Sequence, residues 1–85
     1  MASALPPFSS RKTILTACDM LKALGHSGLD RFLVELGLPD PDVGTGSGLM
    51  ARTTSLARYA IEHPDAITAE GQPLAAAIVA EAGDI

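Results

Sequence analysis

Apolar residues recur along the chain with the three- and four-residue spacing of helix faces, in four stretches separated by turn-forming residues. No stretch has the alternating pattern of a strand, so the sequence predicts an all-α fold. The positions predicted to face the core, helix by helix, are Ile14, Cys18, Leu21 and Leu24; Leu29, Phe32, Leu33 and Leu36; Leu49, Thr53, Leu56 and Ala60; and Leu74, Ala77, Ile78 and Ala82. Outside these faces lie Met20, Val34, Met50 and Val79. If two or three of these four adjoin, they form an exposed apolar contact patch.

Capping and terminating residues set the predicted helix boundaries. The predicted starts are Ser9 or Ser10, Ser27, Ser47, and Pro73 at a first helical position. The predicted ends are Gly25, Gly37, Glu62 before the His63-Pro64 pair, and Gly83. At Ser27 we expect a short-armed capping box with Asp30. Residues 38–48 contain Pro39, Pro41, Gly44, Gly46 and Gly48, which predict a loop.

Short connections favour antiparallel neighbours, so the predicted architecture is a small antiparallel helical bundle with four clear helices. A chain of 85 residues has room for one core. We therefore predict an irregular lead-in, residues 1–9, followed by a single helical interaction domain, residues 10–83. The chain stops just after the terminator Gly83, as a domain taken from a longer protein would.

Charge is distributed unevenly along the chain. All six basic residues lie at or before Arg58, where the net charge is +1, and the remaining residues carry −5. This asymmetry predicts attraction between an acidic region of one copy and a more basic region of its partner. The predicted positive side consists of Arg31, Arg52 and Arg58, and the predicted negative side of Glu62, Asp65, Glu70 and Glu81. The alternative is that these charges only solvate the outer face of a monomer.

Other classes of partner fit the sequence poorly. A net charge of −4 and scattered arginines argue against nucleic acid, which needs a clustered positive surface. No apolar run approaches a membrane span, and residues 1–10 lack the pattern of a secretory signal, so we expect no membrane partner and a cytoplasmic location. Cys18 is the only cysteine, which excludes an intramolecular disulfide and predicts a buried thiol.

No catalytic or cofactor-binding constellation is recognisable, so we expect no enzyme, no cofactor and no metal. His26 and His63 stand at predicted helix ends without a nucleophile at the spacing of a known triad. Asp40 and Asp42 are separated by a proline and lack the later glutamate of a calcium loop. The glycines of residues 44–48 precede a helix, but no strand comes before them and no lysine follows, so a flexible hinge is favoured over an anion site.

Three segments resemble a known family: GHSGLDRFLVELGL (25–38), RTTSLARYAIEHPD (52–65) and GQPLAAAIVAEA (71–82). They are similar to the small bacterial death-like or effector-associated domains of immunity and conflict proteins. The resemblance implies a death-fold-like bundle, with up to two further short helices near 39–43 or 65–70. It also implies an adaptor or oligomerisation module that contacts itself or a related helical domain on an effector protein, with filaments as one form that such assembly can take.

Two alternatives remain open at this stage. The run Ser27 to Asp30 has some likeness to the attachment site of acyl carrier proteins, but Gly28 stands where the modified serine belongs. A SAM-like or docking domain that binds a different protein is the other alternative.

Overall fold

The structure, a computed structural model, describes residues 10–85, and 66% of them are helical. The helices are α1 (Arg11–Met20), α2 (Gly25–Leu36), α3 (Leu49–Glu62) and α4 (Leu74–Gly83), with a 3-10 turn (Leu21–Leu24) between α1 and α2. Within residues 10–85, β pairing is limited to an isolated bridge between Ile67 and Pro73. None of the helices in this part of the chain is long and apolar enough to cross a membrane.

The prediction of four clear helices with up to two short ones is wrong. α1, the 3-10 turn and α2 form one unbroken helical run, residues 11–36, so the described chain has three separate helical segments. No loop is needed at the first connection, because Gly25 bends the run within one residue at a φ of 72°. Residues 39–43 and 65–70, the predicted short helices, contain no helix: they consist of turns, bends, irregular residues and the bridged Ile67. The structure therefore does not have the helices of a six-helix death fold.

Helix packing also differs from a simple antiparallel bundle, in which consecutive helices are neighbours. The most extensively packed pairs are α1 with α3 and α1 with α4, and α2 packs mainly on the 3-10 turn. α1 is therefore the central element of the structure. The large, fully buried side chains include Cys18, Leu21, Leu29, Leu56, Leu74 and Ile78. Burial of a Leu or Ile side chain contributes about 1.5–3 kcal/mol, so these contacts dominate the stability of so small a domain.

The predicted core positions are largely confirmed. All four predicted positions of α4 are buried, and Thr53, the only polar one on α3, is buried with its hydroxyl donating to the Leu49 carbonyl at 3.0 Å. Leu24, Leu33 and Leu49 are partly buried at the edge of the core. Val43, from the loop between α2 and α3, joins the core although no helical periodicity marks it.

Two of the predicted caps are wrong. Ser10 does cap α1, because its hydroxyl accepts the Thr13 amide at 3.0 Å. Ser27 lies inside α2, which begins at Gly25, so the predicted capping box with Asp30 does not form. At the start of α3 the cap position is Gly48 rather than Ser47.

The turn between α3 and α4 is attached to the end of α2. The Ala69 amide donates to the Leu36 carbonyl at 2.8 Å, and Thr68 is buried, with its hydroxyl accepting the amides of Glu70 and Gln72. These bonds bring the end of α2, the turn and α4 to one side of the molecule.

Candidate interaction surfaces

Arg52 lies on α3, and its guanidinium holds the preceding loop in place. Its Nε donates to the Gly44 carbonyl at 2.8 Å, its Nη1 lies 3.0 Å from His26 Nδ1, and its Nη2 forms an ion pair with Asp30. The Ser55 hydroxyl accepts the Gly44 amide at 3.0 Å. Only 12% of the Arg52 side chain is exposed. Arg52 therefore stabilises the fold, and its charge is already matched by Asp30 rather than presented to a partner.

A cleft between α1 and α3 brings two other arginines together. It measures about 270 Å³ and is lined by Arg11, Leu15, Thr54, Arg58, Ile61 and Glu62. A second cleft of about 210 Å³ shares Leu15 and Thr54 and adds Met50 at its other side. Leu15 and Met50 are 48% and 59% exposed. We name the surface formed by Arg11, Leu15, Met50, Thr54, Arg58 and Ile61 the α1–α3 face. It has an exposed apolar centre and two arginines, and the carboxylate of Glu62 lines the same cleft.

A separate cleft of about 260 Å³ collects carboxylates from three parts of the chain. Its charged lining residues are Glu35 on α2, Glu70 in the turn, Glu81 on α4 and Asp84 just after α4. Phe32, Ala77 and Ala80 supply apolar surface between them. We name this surface the acidic cleft. It shares no residue with the α1–α3 face, so the two surfaces are different patches of the molecule.

Neither surface contains an ion pair formed among residues 10–85, although Glu62 lines the same cleft as Arg11 and Arg58. Among residues 10–85, the two ion pairs are Lys22 with Asp19 and Arg52 with Asp30. Arg11 and Arg58 therefore pair with no carboxylate of the described chain, and the four carboxylates of the acidic cleft pair with no basic side chain there. Because like charges repel, a partner of opposite sign would stabilise each surface.

The structure distributes the seven sequence-predicted contact residues over several places. Glu70 and Glu81 meet in the acidic cleft, and Arg58 belongs to the α1–α3 face. Glu62 lies beside Arg58 rather than with the other carboxylates. Arg31 is exposed on α2 and Asp65 in the turn after α3, outside both surfaces.

Three charged residues of the two surfaces were missed from the sequence: Arg11, Glu35 and Asp84. The packing of α1 against α3 and the attachment of the turn to α2 bring these residues to the two surfaces. Both are contacts between segments distant in the sequence, so residue spacing alone does not predict them.

The two histidines hold local structure through opposite ring roles. Arginine has only donors, so His26 Nδ1 must accept from Arg52. His63 Nδ1 lies 3.1 Å from the Tyr59 carbonyl and must donate to it, while the His63 ring stacks on Tyr59 with ring centroids 4.3 Å apart. His26 is thus engaged at one nitrogen by a side chain of α3, and His63 at one nitrogen by the end of its own helix.

Cys18 is buried in the core next to both α1 interfaces, and burial raises the pKa of its thiol from 9.0 to about 12. A thiol in this environment stays protonated at neutral pH and is a poor nucleophile. Within residues 10–85, no three His, Cys, Asp or Glu side chains are grouped so that they could hold a metal ion.

Comparison with protein-family models, with curated proteins and with solved structures gave no match. Geometry and charge are therefore the grounds on which a function can be proposed.

Proposed function

We propose that this chain is a protein-interaction module that joins copies of itself, or a related helical domain on an effector protein, through opposite charges. The observation behind the proposal is that Arg11 and Arg58 share one cleft while four carboxylates share another. A second copy brings each set counter-charges in addition to Glu62, which lines the arginine cleft. Guanidinium groups suit this role because they bind carboxylates in a bidentate manner.

The sequence resemblance supplies the biological setting of the proposal. It places the module in a bacterial immunity or conflict signalling protein of the cytoplasm, acting as an adaptor rather than as an enzyme. The three helical segments do not match a six-helix death fold. The proposal therefore takes the mode of action from the resemblance, and the contact surfaces from this structure.

The expected contact is weak and reversible. A single exposed ion pair contributes about 0 to 1 kcal/mol, so two arginines facing several carboxylates supply a few kcal/mol at most. Association costs rotational and translational freedom, so self-association is expected only at high protein concentration or when a larger protein holds several copies together.

Light scattering at two salt concentrations tests the proposal. In about 50 mM NaCl, the mean mass should rise with protein concentration, and in about 500 mM NaCl it should fall towards that of one chain, because the screening length drops well below 10 Å. Strict single-chain mass at every concentration in low salt, together with no binding to a related helical domain, would refute the proposal. Assembly that ignores salt would show that charge does not drive it.

A further inference from the structure

Resting on the proposed function, we infer that the α1–α3 face of one copy docks onto the acidic cleft of the next copy. The α1–α3 face exposes two large apolar side chains, Leu15 and Met50, between neighbouring helices. Such side chains on adjoining elements form a contact patch rather than scattered surface residues. The patch has no cover within residues 10–85.

Charge complementarity identifies the occupant as a second copy of this chain. Arg11 and Arg58 border the apolar centre of the α1–α3 face. A complementary surface must therefore carry carboxylates around some apolar area. The acidic cleft has this composition, with Glu35, Glu70, Glu81 and Asp84 around the exposed Ala80.

The contact is directional, because the two docking surfaces are different patches. After two copies join, one still has a free α1–α3 face and the other a free acidic cleft. A contact of this type adds further copies until it closes as a ring, or continues as a filament. It differs from a symmetric dimer, in which a single patch meets itself and growth stops at two.

Two variants test this arrangement; we call them half-inactive, because each has one of its two docking surfaces disabled. Arg11→Glu with Arg58→Glu disables the α1–α3 face, and Glu35→Lys with Glu70→Lys disables the acidic cleft; all four side chains are exposed. Each variant alone should remain a single chain at concentrations where the unaltered protein assembles. An equimolar mixture should regain assembly at those concentrations, since the intact acidic cleft of the first variant meets the intact α1–α3 face of the second, and the two reversed surfaces are again opposite in sign.

Matched controls change net charge equally at other exposed sites. Lys12→Glu with Arg31→Glu, and Asp42→Lys with Asp65→Lys, should each assemble like the unaltered protein in analytical ultracentrifugation. If the controls lose assembly as well, charge acts without regard to these surfaces and the inference is overturned. A mixture of the half-inactive variants that stays monomeric, while the unaltered protein assembles, also overturns it and leaves the proposed function standing. An unaltered protein that never assembles or binds a related domain refutes the proposed function itself.

Discussion

The guanidinium of Arg52 connects three parts of the chain that helix packing does not bring together extensively. It joins α3 to α2 through Asp30 and His26, and to the loop through the buried Gly44 carbonyl. Its five donors in a planar fork allow these simultaneous bonds, which a lysine could not make. A residue that the sequence presents as a surface charge is thus part of the structural framework.

Replacing Arg52 with alanine should lower the free energy of unfolding by about 1–3 kcal/mol, because the Gly44 carbonyl loses its side-chain donor in a buried setting. The same change at the exposed Arg58 should stay within about 0.5 kcal/mol. Urea unfolding followed by circular dichroism, in high salt to suppress association, measures both. Equal effects of the two substitutions would show that the Arg52 bonds do not stabilise the fold.

The buried thiol of Cys18 should make the free energy of unfolding decrease at alkaline pH. Its pKa is raised by burial from 9.0 to about 12, so above pH 9 the unfolded chain loses the thiol proton while the folded chain keeps it. The contribution of the protonated thiol to the free energy of unfolding is therefore fully present below pH 9 and is lost as the pH rises towards 12. At pH 10 the loss is about 1.4 kcal/mol by proton linkage.

Urea unfolding at pH 8 and pH 10 checks this effect, with Cys18→Ala as the matched control. The alanine variant differs from the unaltered protein only in lacking the thiol. Its stability should fall less between the two pH values, although truncation of a core side chain lowers its stability at both. The same pH dependence in both proteins would contradict a buried, protonated thiol.

At the scale of elements, periodicity predicted α3 and α4 well, because burial of one apolar face stabilises each of them, but it wrongly divided residues 11–36 into two separate helices. α3 and α4 begin and end within two residues of the predicted positions, and the predicted α4 face is entirely buried. Caps were harder to predict, since a serine near a helix start is only one of several ways to satisfy the first amides. At the start of α2, the helical run simply continues through Gly25, so Ser27 has no cap to form.

Gly37 shows why one terminator was predictable. It adopts a left-handed φ of 61° at the end of α2, a conformation that glycine accepts most readily. A Cβ there would lie 2.6 Å from the Ala69 Cβ, because the turn that bears Ala69 is hydrogen-bonded to the end of α2. The sequence shows the terminator, but the close approach of the turn is a tertiary contact and has no local signal.

At the scale of the whole molecule, the uneven distribution of charge along the sequence predicted only some of the residues that form the two candidate surfaces. It identified Glu70 and Glu81 as acidic partners, yet it could not show that Glu35, early in the chain, joins them. It also grouped Arg52 with Arg58, although the two side chains have different environments on the same helix, α3. Which charges adjoin is decided by how α1 packs on α3 and how the turn meets α2.

The apolar centre of the α1–α3 face gives a final prediction that separates it from charge alone. Met50→Ser should weaken self-association about tenfold, since losing roughly 1.5 kcal/mol of apolar burial at a contact has that effect on the dissociation constant. Val34, which is 81% exposed on α2 and outside both surfaces, provides the control, and Val34→Ser should leave association unchanged. Sedimentation velocity over a concentration series in low salt compares the two, and urea unfolding should show that both variants keep their stability within about 0.5 kcal/mol. If Val34→Ser weakens association and Met50→Ser does not, the apolar contact lies on α2 and not between α1 and α3.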